Sequence, residues 1–203
     1  MTKAKIAVLV SGGGTNLQAL IDAQAAGLIP NGEIALVVSN RKAAFALERA
    51  KNHGIKGAVL SKYMQPDPDK YDAQLLEMLE EHEIDMIALA GFLGIIGERV
   101  LKRYENKIVN IHPALIPSFC GMGFYGLKVH EAVLARGVKV TGATAHLVNG
   151  EVDGGPILLQ KAVEVLEGDT PEVLQKRVME QAEWELLPRA VRMISDEIAL
   201  GRN

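Results

Sequence analysis

Asn110 and His112 stand two residues apart in "NIHPALIP" (110–117), directly after the apolar run "KIV". Residues two apart on a strand point to the same face. An amide and an imidazole are therefore set side by side where Pro113 ends the segment. The amide offers a donor and an acceptor, and the imidazole titrates near neutrality. Such a pair is equipped for hydrogen bonding and proton transfer, although a lone His ahead of a Pro also fits a satisfied turn. Asp153 lies in "NGEVDGGPILLQ" (149–160), between Val152 and two glycines. Turns use Asp routinely, but a buried carboxylate beside His112 would hold the imidazole and favour its charged form.

A third segment, "SGGGTN" (11–16), contains Gly13, Gly14, Thr15 and Asn16. Its glycines let the backbone turn tightly and point amides outward, and a helix N-terminus follows. The combination is a phosphate cradle; the plainer reading is a βα turn with Thr15 or Asn16 as N-cap. No Gly-Lys-Ser/Thr follows, the full G-x-G-x-x-G is absent, and the second strand closes on "VVSNRK" without an acidic residue. A P-loop is excluded and a dinucleotide site disfavoured. His146 sits on an alternating strand and fits either face. His53, His82 and His130 fall in helical patterns and read as solvated or capping residues. Cys120 has no metal-ligand spacing with any His, so no metal is assigned. Trp184 and the methionines read as core.

These segments need a frame. Short apolar runs at 5–10, 33–39, 57–60, 84–91 and 107–111 read as strands. Helical patterns at 16–27, 44–54, 69–83 and 96–106 separate them, the first two closed by Gly27 and Gly54. Strands joined by helices of this length pair in parallel through right-handed crossovers. After a helix at 129–137, the runs 140–148 and 156–165 look antiparallel, and 171–200 reads as one helix with Asp169 or Thr170 as N-cap. The fold class is α/β: a single-domain, open, twisted, mostly parallel sheet, with antiparallel strands towards the C-terminal part. Ligands bind such sheets at the strand C-termini, where Asn110 and His112 fall.

The chain has 203 residues, 48% apolar and 23% charged, with a formal charge of -3. That balance suits one globular domain and calls for no nucleic acid and no membrane surface. The single cysteine permits no internal disulfide, and "IAVLV" is too short for a signal core or a span. A cytoplasmic location is expected.

"SGGGTNLQALIDA", "LAGFLGII", "NIHPALIPSF", "VTGATAHLV" and "VDGGPILLQ", in this order, resemble the phosphoribosylglycinamide formyltransferases, the folate-dependent transformylases of purine synthesis. The resemblance covers nearly the whole chain. It implies a Rossmann-like formyltransferase fold over 1–203, with a phosphate-binding half at about 1–105 and a folate and catalytic half at about 84–203. It also implies transfer of the formyl group of 10-formyltetrahydrofolate, a cosubstrate, to the amine of glycinamide ribonucleotide, without a metal. Asn110, His112 and Asp153 fall on the catalytic positions. Gly13, Gly14, Thr15 and Asn16 fall on the phosphate site, and Glu183, counted back from Pro188, on the ribose site. Phe92, Leu93, Gly94, Ile95 and Ile96 would line the folate with Asn110, Val152 and Asp153. The partners implied are small molecules, with the chain a monomer or homodimer.

Some positions depart from the family pattern. Gly94 and Pro68 stand where basic residues are common, and Lys70 is the nearest cation. Exposed ion pairs contribute only about 0–1 kcal/mol each, so the pterin end is expected to carry folate binding, with mild salt dependence. Glu183-Trp184 stands where Glu-His is usual, with one extra residue upstream, and the 118–130 loop is longer and richer in glycine. Alternatives remain: another 10-formyltetrahydrofolate enzyme (a hydrolase, or a sugar-nucleotide or tRNA formyltransferase), or a non-catalytic nucleotide-binding module. The last would not need Asn110, His112 and Asp153 in one cleft.

Overall fold

The structure, a computed structural model, describes residues 3–201. Strands β1 (Ala4–Val10), β2 (Gly32–Ser39), β3 (Lys56–Val59), β4 (Met86–Leu89) and β5 (Ile108–His112) pair in parallel. β6 (Val140–Leu147) and β7 (Ile157–Glu164) extend the sheet antiparallel, giving the order β3-β2-β1-β4-β5-β6-β7. The chain builds outward from β1 through β2 to β3, then returns to β4 on the other side of β1. The switch point, where open α/β sheets bind ligands, therefore lies between β1 and β4.

β1 is apolar without alternation because both of its faces are covered. Ile6, Val8 and Val10 pack on one face under α1 (Thr15–Ala25), α2 (Phe45–Asn52), α5 (Leu127–Arg136), α6 (Pro171–Val178) and α7 (Trp184–Ala199). Ala7 and Leu9 pack on the other, under α3 (Pro68–Glu81) and α4 (Glu98–Arg103). This second layer stops at β5. Val109 and Ile111 belong to the first core, so Asn110 and His112 face the side where helical cover ends.

The β4–α4 loop is pinned from two directions. Ser11 Oγ accepts from the Leu93 N–H at 2.8 Å. Buried Asp72 accepts from the Arg99 N–H at 2.8 Å, capping α4 from α3. Among the described residues no helix is long and apolar enough to cross a membrane.

Local structure departs from expectation in instructive places. Gly14, not Thr15 or Asn16, is the N-cap of α1, with φ 72. A Cβ there would lie 2.7 Å from the Ala46 Cβ, so glycine permits both the turn and the close approach of α2. Thr170 wins the N-cap of α6 by accepting from the Val173 N–H, while Asp169 is drawn into a paired contact with the Arg177 guanidinium. His53 and His82 cap α2 and α3 as expected. His130 is neither solvated nor capping: it is fully buried, with both ring nitrogens unpartnered among the described residues. Burial, and then His112, lower its pKa to about 4, so it stays neutral. Met86 is core, but Met64, Met122 and Met193 are exposed.

The expected single C-terminal helix is two, joined by a π turn at Met179–Glu183. A π turn absorbs one extra residue within a helix, matching the extra residue read upstream of Glu183-Trp184. At its end Glu183 is buried, and its Oε2 accepts from Asn16 Nδ2 at 2.8 Å. That bond ties the last helices to the first. Burial raises the Glu183 carboxyl from 4.5 to about 7, the Asn16 bond opposing.

A group whose native pKa is raised binds more protons in the folded than in the unfolded chain. Stability therefore falls as pH rises through that window. The Glu183 contribution should be fully present below about 4.5 and lost by about 7. Glu183→Gln keeps an acceptor for Asn16 and removes the titration. Denaturant unfolding should show the variant gaining on the wild type from pH 4.5 to 7; parallel curves would contradict the assignment.

Candidate functional site at the end of β5

β5 and β6 pair so that Asn110 lies opposite His146 and His112 opposite Thr144. Ala143 and Ala145 are in the first core, which turns Thr144 and His146 to the same open face as Asn110 and His112. Two strands thus present an amide, a hydroxyl and two imidazoles together. Thr144 is structural: its hydroxyl donates to the Ala114 carbonyl at 2.7 Å and accepts from the Ile116 N–H at 3.1 Å. These bonds hold the chain leaving His112.

The β6–β7 loop brings Asp153 over this face. Asp153 takes φ 55, a conformation Asp tolerates better than most residues. Gly155 fixes the loop beneath it: a Cβ there would lie 1.8 Å from the Leu147 carbonyl oxygen. Asp153 Oδ2 then sits 3.5 Å from His112 Nδ1, and Oδ1 sits 3.6 Å from His146 Nε2. The Gly121 N–H donates to Oδ2 at 2.9 Å. One carboxylate therefore links two buried imidazoles and the 118–126 loop.

The hydrogen bonds assign the tautomers. His112 Nε2–H donates to the Phe119 carbonyl at 2.8 Å, leaving Nδ1 towards Asp153. In a neutral ring that nitrogen is a lone pair facing a carboxylate; protonation turns it into a donor. His146 Nδ1–H donates to the Leu147 carbonyl at 2.8 Å, so its Nε2 accepts from Asn110 Nδ2 at 3.0 Å.

Burial lowers the His112 pKa below 6.5, while Asp153 and the Phe119 carbonyl pull it up. The expected preference for charged His112 is thus present as an attraction but is outweighed by desolvation. The Asp153 carboxyl is pushed up by burial, yet the His146 contact, the Gly121 N–H and His112 together leave it below its ordinary value. An ionised carboxylate beside a neutral imidazole is the resting arrangement. The Cys120 thiol is raised by burial and by nearby carboxylates, which disfavours a thiolate nucleophile.

The other expected groups lie along the same edge. Asn16 bonds Glu183, bringing the Gly-rich turn and the π turn together. A Cβ on Gly12 or Gly13 would meet nothing within 4 Å, so the outer side of that turn is open. On the β4–α4 loop, Leu93 and Ile95 are exposed, whereas Ile96 is buried in the second core and offers the face only its backbone. Val152 is exposed on the loop that carries Asp153.

His146, the Phe119 carbonyl and the Gly121 amide were not singled out by sequence. The "ATAHLV" alternation left the face of His146 open, and only its register with Asn110 decides it. The two backbone groups carry no residue-type signal.

The chain matches the formyl transferase model over residues 4–191. It is 40% identical, over 196 residues and 96% of its length, to a chloroplastic phosphoribosylglycinamide formyltransferase of Arabidopsis thaliana, and spans 66% of that protein. It is 41% identical over 99% of its length to the trifunctional purine biosynthetic protein adenosine-3 of Bos taurus, of which it spans 19%. A glycinamide ribonucleotide transformylase 1 from Symbiobacterium toebii, of known structure, superposes with a TM-score of 0.89 at 40% identity, covering 96% of this chain and 88% of that one. With the amide, both imidazoles and the bridging carboxylate all inside the matched span, the chain belongs to the formyl transferase family.

Proposed function

We propose that the chain transfers the formyl group of 10-formyltetrahydrofolate to the amine of glycinamide ribonucleotide, a step of purine biosynthesis. The observation that carries the reading is the convergence of Asn110, His112 and Asp153 on one sheet face under the β6–β7 loop, His112 directly beside Asp153 and Asn110 linked to it through His146. A non-catalytic nucleotide-binding module has no use for a carboxylate aimed at a strand-end imidazole. The relatives' names support the acceptor: the Symbiobacterium protein, similar over most of both chains, is a glycinamide ribonucleotide transformylase. About 1–105 would form the phosphate-binding half and about 84–203 the folate and catalytic half.

The amine attacks the formyl carbon, and negative charge grows on the formyl oxygen. Preorganised donors aimed at that oxygen lower the barrier. Asn110 supplies an amide N–H. His112 supplies Nε2–H, which the Phe119 carbonyl occupies in the resting protein; the formyl oxygen takes that acceptor's place. Phe119 sits at φ 52, a backbone conformation costing about 1–3 kcal/mol, so the carbonyl is held there by its surroundings and gives way to a better acceptor. As charge develops, the proton lost by the attacking amine passes through water to His112 Nδ1, which then points an N–H towards Asp153, and the ion pair forms where burial makes it strong. Asp153 then relays that proton, through water, to folate N10 as the oxyanion collapses, the bond between the formyl carbon and N10 breaks and tetrahydrofolate leaves. Asn110, held by His146, contributes to both reacting partners' placement. Gly13, Gly14, Thr15 and Asn16 offer backbone amides to the substrate phosphate, and Glu183 receives the ribose. Phe92 to Ile96 line one side of the pterin and Val152 the other.

In an assay with glycinamide ribonucleotide and 10-formyltetrahydrofolate, Asp153→Asn should lower turnover by about 10²–10⁴-fold, the range for losing a positioned acid-base group. Near-normal turnover would overturn the role. The phosphate cradle has a separate test. The Gly13 Cβ position is open, whereas that of Gly14 collides with α2. Gly13→Val should therefore raise the KM for glycinamide ribonucleotide about tenfold or more, equivalent to ~1.4 kcal/mol, with a smaller effect on the folate KM. Gly14→Val should instead lose stability. Equal weakening of both ligands by Gly13→Val would contradict the placement.

A further inference from the structure

In the Gly-rich turn, the peptide that joins Gly13 to Gly14 has a glycine on each side. No Cβ resists its turning over, so another group must fix its plane. α2 supplies two. The Ala46 N–H, one of the spare donors at the start of that helix, bonds the Gly12 carbonyl at 3.1 Å. One turn further along, Arg49 Nε–H donates to the Gly13 carbonyl at 2.8 Å, and Nη1–H donates to Gln18 Oε1 on α1 at 3.0 Å. The guanidinium also lies over the Phe45 ring, 5.1 Å from its centre. A trans peptide points its N–H opposite to its C=O. With two successive carbonyls held towards α2, the Gly13 and Gly14 N–H groups both point away from it. The Gly14 carbonyl accepts the first bond of α1, from the Gln18 N–H at 2.9 Å, so the Thr15 N–H lies outside that helix's own ladder. Successive amides turned this way form an anion-binding concavity.

We propose that Arg49 is a positioning residue for the phosphate cradle: it locks the Gly13–Gly14 peptide so that the Gly14 N–H is aimed at the phosphate. The proposal rests on the phosphate placement proposed above. Arg49 is not the phosphate's counter-ion. Its Nε–H and an Nη1–H are taken by protein acceptors, and the Gly13–Gly14 peptide stands between the guanidinium and the side to which the amides point. The charge acts through that peptide. A cation on the carbonyl polarises the amide and makes its N–H a stronger donor. Gln18 donates in turn to Asp22 at 2.9 Å, so the fork is oriented from α1 as well as from α2. Lysine cannot reproduce it: an ammonium can reach the Gly13 carbonyl but has no planar second arm for Gln18.

The test uses Arg49→Met, which keeps the stem and removes the fork, and Arg49→Lys, which keeps the charge. Arg49→Met should raise the KM for glycinamide ribonucleotide about tenfold, the effect of losing one hydrogen bond to a charged group. The changes in kcat and in the KM for 10-formyltetrahydrofolate should be much smaller, and Arg49→Lys should fall between wild type and Arg49→Met. The direct readout is nitrogen-15 NMR of the backbone amides as glycinamide ribonucleotide is added. In wild type the Gly14 and Thr15 amides should both shift; in Arg49→Met the Thr15 shift should persist and the Gly14 shift should be lost. An unchanged KM or an undiminished Gly14 shift in Arg49→Met would overturn the proposal. So would an Arg49→Lys variant equal to wild type, since charge alone would then suffice, or equal weakening of both ligands, which marks general damage. Absence of either amide shift in wild type would overturn the phosphate placement itself, a result separable from loss of the Arg49 effect alone.

Discussion

The Asp153 carboxylate is the constraint around which the site is organised. It is set 3.5 Å from His112 and 3.6 Å from His146, on side chains that β5 and β6 expose to the same face. The last parallel strand and the first antiparallel one must be neighbours for those imidazoles to meet one carboxylate. Switching to antiparallel pairing at that point allows the short β6–β7 loop to return over the strand end of β5. A further parallel strand would have placed a crossover helix there instead. The sheet's change of direction and the site's geometry are one feature.

The remaining functional segments are tied to this centre by a few polar bonds. Ser11, in the Gly-rich turn, holds Leu93 of the β4–α4 loop, so the two sides of the switch-point crevice are linked. Asn16 holds Glu183 across the first and last helices. The 118–126 loop is attached through Phe119 to His112 and through Gly121 to Asp153. In the resting structure this loop therefore occupies both the His112 Nε2–H and Asp153 Oδ2.

Much of this was legible in the sequence for physical reasons. Apolar runs separated by helical periods fix a parallel α/β sheet, and the period of two sets Asn110 and His112 on one face. Other features were hidden because they depend on packing across the chain. Gly14 displaces Thr15 as N-cap because α2 approaches it within a distance no side chain allows. The helical stripe of 171–200 does not show the π turn at Met179–Glu183, and only the extra residue upstream of Glu183-Trp184 marks its place. His146 needed the β5–β6 register, and the loop carbonyl and amide that engage His112 and Asp153 are invisible to residue type.

The claim that Asp153 acts on His112 is tested most directly by nitrogen-15 NMR of the His112 ring in the wild type and in Asp153→Asn. At neutral pH the wild-type ring should be the neutral Nε2–H tautomer, titrating below the ordinary 6.5. Replacing the carboxylate with an amide should lower that titration further, since the carboxylate is what opposes burial. Identical titrations in the two proteins, or an Nδ1–H tautomer in the resting state, would contradict the account.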